Sequence, residues 1–374
     1  MRRPDQRPMH VLPTLESQRN ALEKCTFCPK LCRSACPVSN AETRETLTPW
    51  GKMSLAYFTG HGDVPLDASH TDPAWACTGC KACTHACDHQ NDVATTLYEA
   101  RAAIMAKGQN PIGAARVVKN FDKHAERTRQ AVAELGVHGS VRRDAATNLL
   151  TGCSYARATP REAKDAIFAT SQLVGEPVSL AENCCGLPLL MAGAQEAFKA
   201  QAEKLAAELH GRKRLIVLDP GCAVALKVHY PKFGIKLPAE VEVFVELAAS
   251  HVGRLKPLDN LPDERVRYHD PCQLGRGLGI YEAPRLVLSR LLGRPPDEFD
   301  YRREKAACSG AGGLLPSTMP DVAKRIAKTR VAEHEEGGGG KIVTACASSL
   351  LSFRATAVEP VEDIATWVAK GLGA

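Results

Sequence analysis

Cys77-Thr78-Gly79-Cys80-Lys81-Ala82-Cys83-Thr84-His85-Ala86-Cys87 is the stretch that decides how the N-terminal third must fold. Its spacing is C-x2-C-x2-C-x3-C. A short loop turns every third side chain to one side, so three thiolates can wrap one corner of an iron–sulfur cube. The fourth, after a wider gap, projects from the start of a helix and can reach a second cluster. Upstream lies a partner stretch, Cys25-x2-Cys28-x3-Cys32-x3-Cys36-Pro37, and together the two supply eight thiolates.

Eight thiolates suffice for two 4Fe–4S clusters. In the crossed arrangement that this spacing allows, the first cluster takes Cys25, Cys28, Cys32 and Cys87. The second takes Cys77, Cys80, Cys83 and Cys36. Structural zinc is the competing reading, since C-x2-C pairs also suit that ion. Zinc needs only four ligands in two pairs, whereas two quartets occur here, each closing with C-x3-C. The expectation is two cubanes.

A chain of 374 residues predicts two or three domains with a sizeable core. It contains no run of eighteen apolar residues, so no direct membrane span is expected. The opening MRRPDQRPMHVLPTLESQRN is basic, with no apolar segment behind it, unlike a secretory signal. Fifteen cysteines, an odd number, argue for a reducing compartment over a disulfide framework. The expected location is the cytoplasm, or the inner membrane face through a partner. The formal charge is +6 with cysteines neutral. Two cubanes, each roughly −2 oxidised and −3 reduced, would bring it to about +2 or 0. The basic excess thus offsets cluster charge and is no nucleic-acid footprint.

Residues 1–20 read as a polar N-terminal arm and 21–108 as a helical two-cluster ferredoxin module. Within the module, ETLTPWGKMSLAYFTG places Trp50, Leu55 and Phe58 on one helical face. DVATTLYEARAAIMAKG places Val93, Leu97, Ala100 and Ile104 on another. Residues 109–145 form a helical connector whose Arg116, Lys119, Lys123, Arg127 and Arg129 suit a solvated face. From 146 the texture becomes strand–loop–helix, and it repeats, giving a first unit over 146–256 and a second over 257–374. Strands over 148–151, 215–218, 266–268 and 342–345 alternate with helices starting near 160, 193, 280 and 320. The cysteine landmarks 153, 184 and 222 recur at 272, 308 and 346, offsets of 119, 124 and 124 residues. A tandem duplication explains three landmarks in order. Strand–helix alternation implies a mainly parallel sheet in each copy, so the fold class is a helical ferredoxin-like module followed by two α/β repeats. Each landmark cysteine sits where a strand ends and a helix begins, the edge at which open α/β sheets bind ligands.

A two-quartet ferredoxin module followed by two C…CCG…CxxC-like repeats resembles the cysteine-rich CCG iron–sulfur family. The segments TPWGKMSLAYF, LDPGCAVALKVHYP, YHDPCQLGR and CSGAGG look like its signatures. The family includes iron–sulfur subunits of glycolate oxidase and anaerobic glycerol-3-phosphate dehydrogenase, and heterodisulfide reductase subunits. In the last branch a complete repeat gives five cysteines to a non-cubane 4Fe–4S cluster that cleaves a disulfide. Carried over, the first repeat offers Cys153, Cys184, Cys185 and Cys222, with Asp219 where the first cysteine of CxxC would stand. A carboxylate can ligate iron, though it is a harder ligand than thiolate. The second repeat keeps Cys272, Cys308 and Cys346 but has Ser309 and Ser349 at the other two positions. The resemblance therefore implies a third, non-cubane cluster in the first repeat, against the plainer reading of small buried residues at tight loops.

His269 is expected to be a core histidine holding its own loop. Gly310-Ala311-Gly312-Gly313 lacks a phosphate fingerprint and suits a tight turn near a cysteine site. No flavin or nicotinamide fingerprint occurs, so two-electron chemistry on an organic substrate would belong to a partner. The expected function is an electron-transfer iron–sulfur subunit of an oxidoreductase. It would pass electrons between an FAD-containing dehydrogenase or oxidase subunit, or another redox protein, and an acceptor. The alternative is a heterodisulfide-reductase-like thiol–disulfide oxidoreductase.

Overall fold

The computed structural model describes residues 7–137, 139–258, 264–357 and 360–374. The chain divides into two compact units. The first comprises Met1–Asn120, Pro188–Gln195 and Ala307–Ala327, and the second Phe121–Leu187, Glu196–Ala306 and Lys328–Ala374.

Among the described residues, every regular element of the first unit is a helix. Pro49–His61 begins where Thr48 Oγ1 accepts the Gly51 amide, with Pro49 in the first turn, and ends at Gly62 in the left-handed region. Met53, Ala56 and Tyr57 are its buried apolar side chains, while Trp50, Leu55 and Phe58 are half-buried. The buried face is thus rotated from the expected one. The helix is enclosed on several sides, with Gly51 against the backbone of Glu45 and Thr46 and Gly60 against Met9, so periodicity carries little information there. Val93–Ala106, capped by Asp92 on the Thr95 amide, buries Val93, Leu97, Ala100 and Ile104 as expected. Leu12 and Leu15 join these residues in the core. Trp75 donates to the Ala192 carbonyl at 3.1 Å, tying segment 188–195 into this unit.

The second unit holds two four-stranded sheets. The strands of the first are β1 (Thr147–Leu150), β2 (Ser179–Leu180), β3 (Arg214–Val217) and β4 (Glu240–Val243), in the order β2-β1-β3-β4. Those of the second are β5 (Val266–His269), β6 (Asp297–Glu298), β7 (Lys341–Thr344) and β8 (Val361–Asp363), in the order β6-β5-β7-β8. Every pairing is parallel, with Leu149 opposite Ile216 and Tyr268 opposite Val343. The inner strands are buried along nearly their whole length, as sheets covered on both faces require. Helix Pro160–Val174 packs against helix Ile364–Gly371. No helix of the described residues is long and apolar enough to cross a membrane.

Candidate metal centres

Two cavities of the first unit are ringed by thiols. Cys25, Cys28, Cys32 and Cys87 line one, together with Lys24, Trp50 and Asn91. Cys36, Cys77, Cys80 and Cys83 line the other, together with Pro49 and Lys52. Cys83 borders both. The backbone that presents these thiols turns at Lys30 and Lys81, each in the left-handed region, immediately before the short helices Leu31–Ala35 and Ala82–His85. Gly79 (φ 69°) lets the loop fold over Cys77, whose sulfur accepts the Gly79 amide at 3.4 Å. The CSGAGG motif supports this loop from behind. Side chains at Gly312 or Gly313 would collide with the Thr78 and Cys77 carbonyls, so the glycines serve the close approach expected of them.

The two rings differ in their surroundings. In the first ring Cys28, Cys32 and Cys87 are half-buried beside a buried Cys25, whereas in the second Cys36, Cys80 and Cys83 are buried and only Cys77 is half-buried, so the second ring is the deeper one. Asn91 Nδ2 donates to Cys25 Sγ at 3.0 Å, and Lys52 Nζ to Cys36 Sγ at 3.6 Å. Burial pushes Cys25 up to about 12 and Cys32 up to about 11, and neighbouring thiols add to both. Burial likewise raises Cys77 and Cys83. Thiols so placed keep their protons unless a metal displaces them.

Two buried cations bear on whether these residues fit an anionic cofactor. Lys52 is 2% exposed and Arg101 0%. Arg101 donates to the carbonyls of Ala74, Met191, Gly313 and Cys77, and neither cation has a carboxylate partner among the described residues. A buried cation without a counter-charge is costly. Ionised thiolates around iron would supply that charge, so the site fits an iron–sulfur cofactor.

In the second unit the first-repeat cysteines converge. Gly152 (φ 87°) turns the chain from β1 into helix Cys153–Ala158, and a Cβ there would lie 2.9 Å from Asp219 Cβ and 3.2 Å from Cys222 Sγ. The four thiols are buried close enough to perturb one another, Cys153 beside Cys184, Cys184 beside Cys185, and Cys185 beside Cys222. The neighbouring Cys184 thiol, together with burial, raises Cys153 well above the ordinary thiol value. The neighbouring Cys185 thiol lowers Cys222, yet burial still pushes it up to about 12. Asp219 caps helix Pro220–Val224, its Oδ1 accepting the Gly221 amide at 2.8 Å and the Cys222 amide at 3.3 Å. That oxygen is occupied in shaping the cysteine loop.

His124 joins this site and was missed in the sequence. It lies on helix Phe121–Leu135, and a ring nitrogen lies within 4.8 Å of the sulfurs of Cys153 and Cys184. Its Nδ1 is 2.6 Å from an Arg157 guanidinium nitrogen. Arginine only donates, so Nδ1 accepts and Nε2 carries the proton. Nε2 is buried and has no hydrogen-bond partner among the described residues, so its proton is available to a nearby sulfur that ionises. The available signal was positional: His124 falls beside the buried stripe Phe121, Ala125, Thr128, Val132, Leu135 of a segment read as a connector.

The second repeat is arranged differently. Cys272 and Cys346 belong to the second unit, while Cys308 and Ser309 fall within the first. Ser349 donates to the sulfur of Cys346, which burial pushes up to about 12. Cys308 Sγ accepts the Gly310 amide at 3.3 Å. His269 is buried edge-on to Phe353 at 4.7 Å and accepts from Arg330 Nε at 3.4 Å, a core histidine as expected. Asp270 pairs with Arg285 at 2.7 Å.

The profile of a 4Fe-4S dicluster domain matches residues 21–91, and that of a cysteine-rich domain matches 147–227 and 266–354. A dihydromethanophenazine:CoB–CoM heterodisulfide reductase subunit from Methanosarcina acetivorans is 27% identical over 392 residues, covering 94% of each chain. A fumarate reductase (CoM/CoB) subunit from Methanothermobacter marburgensis is 25% identical over 328 residues, covering 84% of this chain and 64% of that one. A hypothetical protein from Helicobacter pylori, known from its crystal structure, shares the fold. Its TM-score is 0.52 at 9% identity, covering 97% of this chain and 77% of that one. The chain thus combines a 4Fe-4S dicluster domain with two cysteine-rich CCG domains.

Proposed function

We propose that the chain is an electron-transfer subunit carrying two 4Fe–4S clusters, one on Cys25, Cys28, Cys32 and Cys87 and the other on Cys36, Cys77, Cys80 and Cys83. One observation carries this reading: each quartet surrounds its own cavity, with Cys83 bordering both. The clusters, when bound, take up and release single electrons. The chain's own residues hold them at different depths within the unit. Half-buried Cys28, Cys32 and Cys87 make the first ring the more accessible one for a partner, while in the second only Cys77 is half-buried.

The donor in this reading is a flavoprotein that oxidises a 2-hydroxy acid or similar substrate. The named relatives are subunits of multi-subunit reductases, which supports a redox partner. The isolated chain should bind no flavin and should not oxidise glycolate, lactate or glycerol 3-phosphate. A co-encoded FAD-containing subunit should confer substrate-dependent bleaching of the clusters in anaerobic stopped flow. Dehydrogenase turnover by the chain alone would contradict the division of labour.

A second reading is favoured by the convergence of Cys153, Cys184, Cys185, Cys222 and His124. In it the first repeat holds a further, non-cubane cluster and acts on thiols and disulfides, as the names of the relatives suggest. His124 would then supply a hydrogen bond to the Cys153 sulfur, and Asp219 would fix the Cys222 loop. An added disulfide that perturbs the spectrum of the reduced protein, and loses that effect in Cys184→Ser, would select this reading.

A further inference from the structure

The motif Thr48-Pro49-Trp50-Gly51-Lys52-Met53 borders both cavities, with Trp50 at the first and Pro49 and Lys52 at the second. Its lysine is placed with unusual constraint. Thr48 caps the helix, Pro49 fixes its first turn, and Gly51 packs so closely on the Glu45 carbonyl and Thr46 that any side chain would collide. The start of the helix is therefore pinned, and Lys52 points into the cavity ringed by Cys36, Cys77, Cys80 and Cys83. Its ammonium is 3.6 Å from Cys36 Sγ, is buried, and has no carboxylate partner among the described residues.

We infer that Lys52 sets the reduction potential of the inner cluster, the one assigned above to Cys36, Cys77, Cys80 and Cys83. This rests on that ligand assignment. Reduction adds one electron, and hence one negative charge, to the cluster, while the donor is oxidised by one electron. A fixed positive charge in contact with a ligand sulfur stabilises the more negative, reduced form over the oxidised one. Exclusion of water makes the effect larger than that of a screened surface lysine. The field is not confined to Cys36, since Lys52 lines the same cavity as Cys77, Cys80 and Cys83.

The outer ring has no equivalent among the described residues. Its sulfur bond comes from the neutral amide of Asn91, Lys24 is exposed, and Lys30 faces Glu45 at 3.4 Å and the Trp50 ring. Charge-assisted bonds to sulfur exceed neutral ones, so the two clusters are tuned by different means. Arg101 adds positive charge near Cys77 but is fully committed to four carbonyls, which makes it part of the scaffold.

The test is an anaerobic EPR-monitored redox titration of the full chain with dithionite. Lys52→Met and Lys52→Arg are compared with wild type, and Cys80→Ser and Cys28→Ser identify the two signals. Lys52→Met should weaken reduction of the inner cluster at least tenfold, about 59 mV toward negative potential for one electron. Lys52→Arg should titrate close to wild type, and the outer cluster should not move. An unchanged inner midpoint, or equal shifts of both clusters, would overturn the inference. If Lys52→Met assembles no inner cluster, Lys52→Gln is read in its place with the same expected sign. Loss of the inner cluster in both neutral variants would also overturn it, making Lys52 an assembly residue. Failure of the ligand assignment looks different, because it appears in the cysteine variants before any lysine is changed.

Discussion

Cys153 shows how single residues set the chemistry of the first-repeat site. Its proton is held by the neighbouring Cys184 thiol and by burial, and His124 opposes them. Arg157 occupies Nδ1 and leaves a buried Nε2 proton without a partner, so His124 favours the nearby thiolate over the thiol. Removing it should raise the Cys153 pKa further and lower the thiolate fraction at any given alkaline pH. In metal-free protein, site-resolved alkylation of Cys153 should therefore be slower in His124→Ala than in wild type. An equal or faster rate would contradict the assigned donor. The eight N-terminal cysteines were legible because their spacing alone describes a loop geometry. His124 was not, because nothing local to a helix announces which distant loop it faces.

Helix Ile364–Gly371 illustrates what an element adds to a residue. It starts at Asp363, whose Oδ1 accepts the Ala365 amide at 2.9 Å and whose Oδ2 accepts the Tyr155 hydroxyl at 2.6 Å. Burial outweighs these bonds and raises Asp363 from the ordinary 3.8 to about 7. The folded state therefore retains a proton that the unfolded chain releases near pH 4. Stability from this group is fully present below the unfolded value and is lost as pH rises toward 7, at up to about 1.4 kcal/mol per unit. Asp363→Asn keeps the cap acceptor without the charge, so it should flatten this fall. Hydrogen exchange of residues 364–371 across that pH range measures it, and an undiminished slope in the variant would contradict the account. The inner strands were legible at this scale, as apolar runs ending at a cysteine. The edge strands β2 and β6 were not, since two residues such as Asp297-Glu298 carry no periodicity and are held by pairing with a buried neighbour.

Across the whole molecule, the duplication expected from three cysteine offsets appears as two sheets with the same strand order, and each matched cysteine-rich segment contains the first three of its sheet's four strands. Sequence distance failed to show that segments 188–195 and 307–327, read as parts of the repeats, cluster with the N-terminal residues. The buried hydrogen bonds of Trp75 and Arg101 bring them there, and such long-range acceptors leave no local pattern. The central claim remains the crossed pair of clusters, in which the last cysteine of the second stretch completes the cluster of the first. Low-temperature EPR of dithionite-reduced Cys87→Ser, set beside Cys28→Ser and Cys80→Ser, tests it most directly. The account predicts that Cys87→Ser loses the same signal as Cys28→Ser and keeps the one lost in Cys80→Ser. A Cys87→Ser spectrum that matches Cys80→Ser would contradict it.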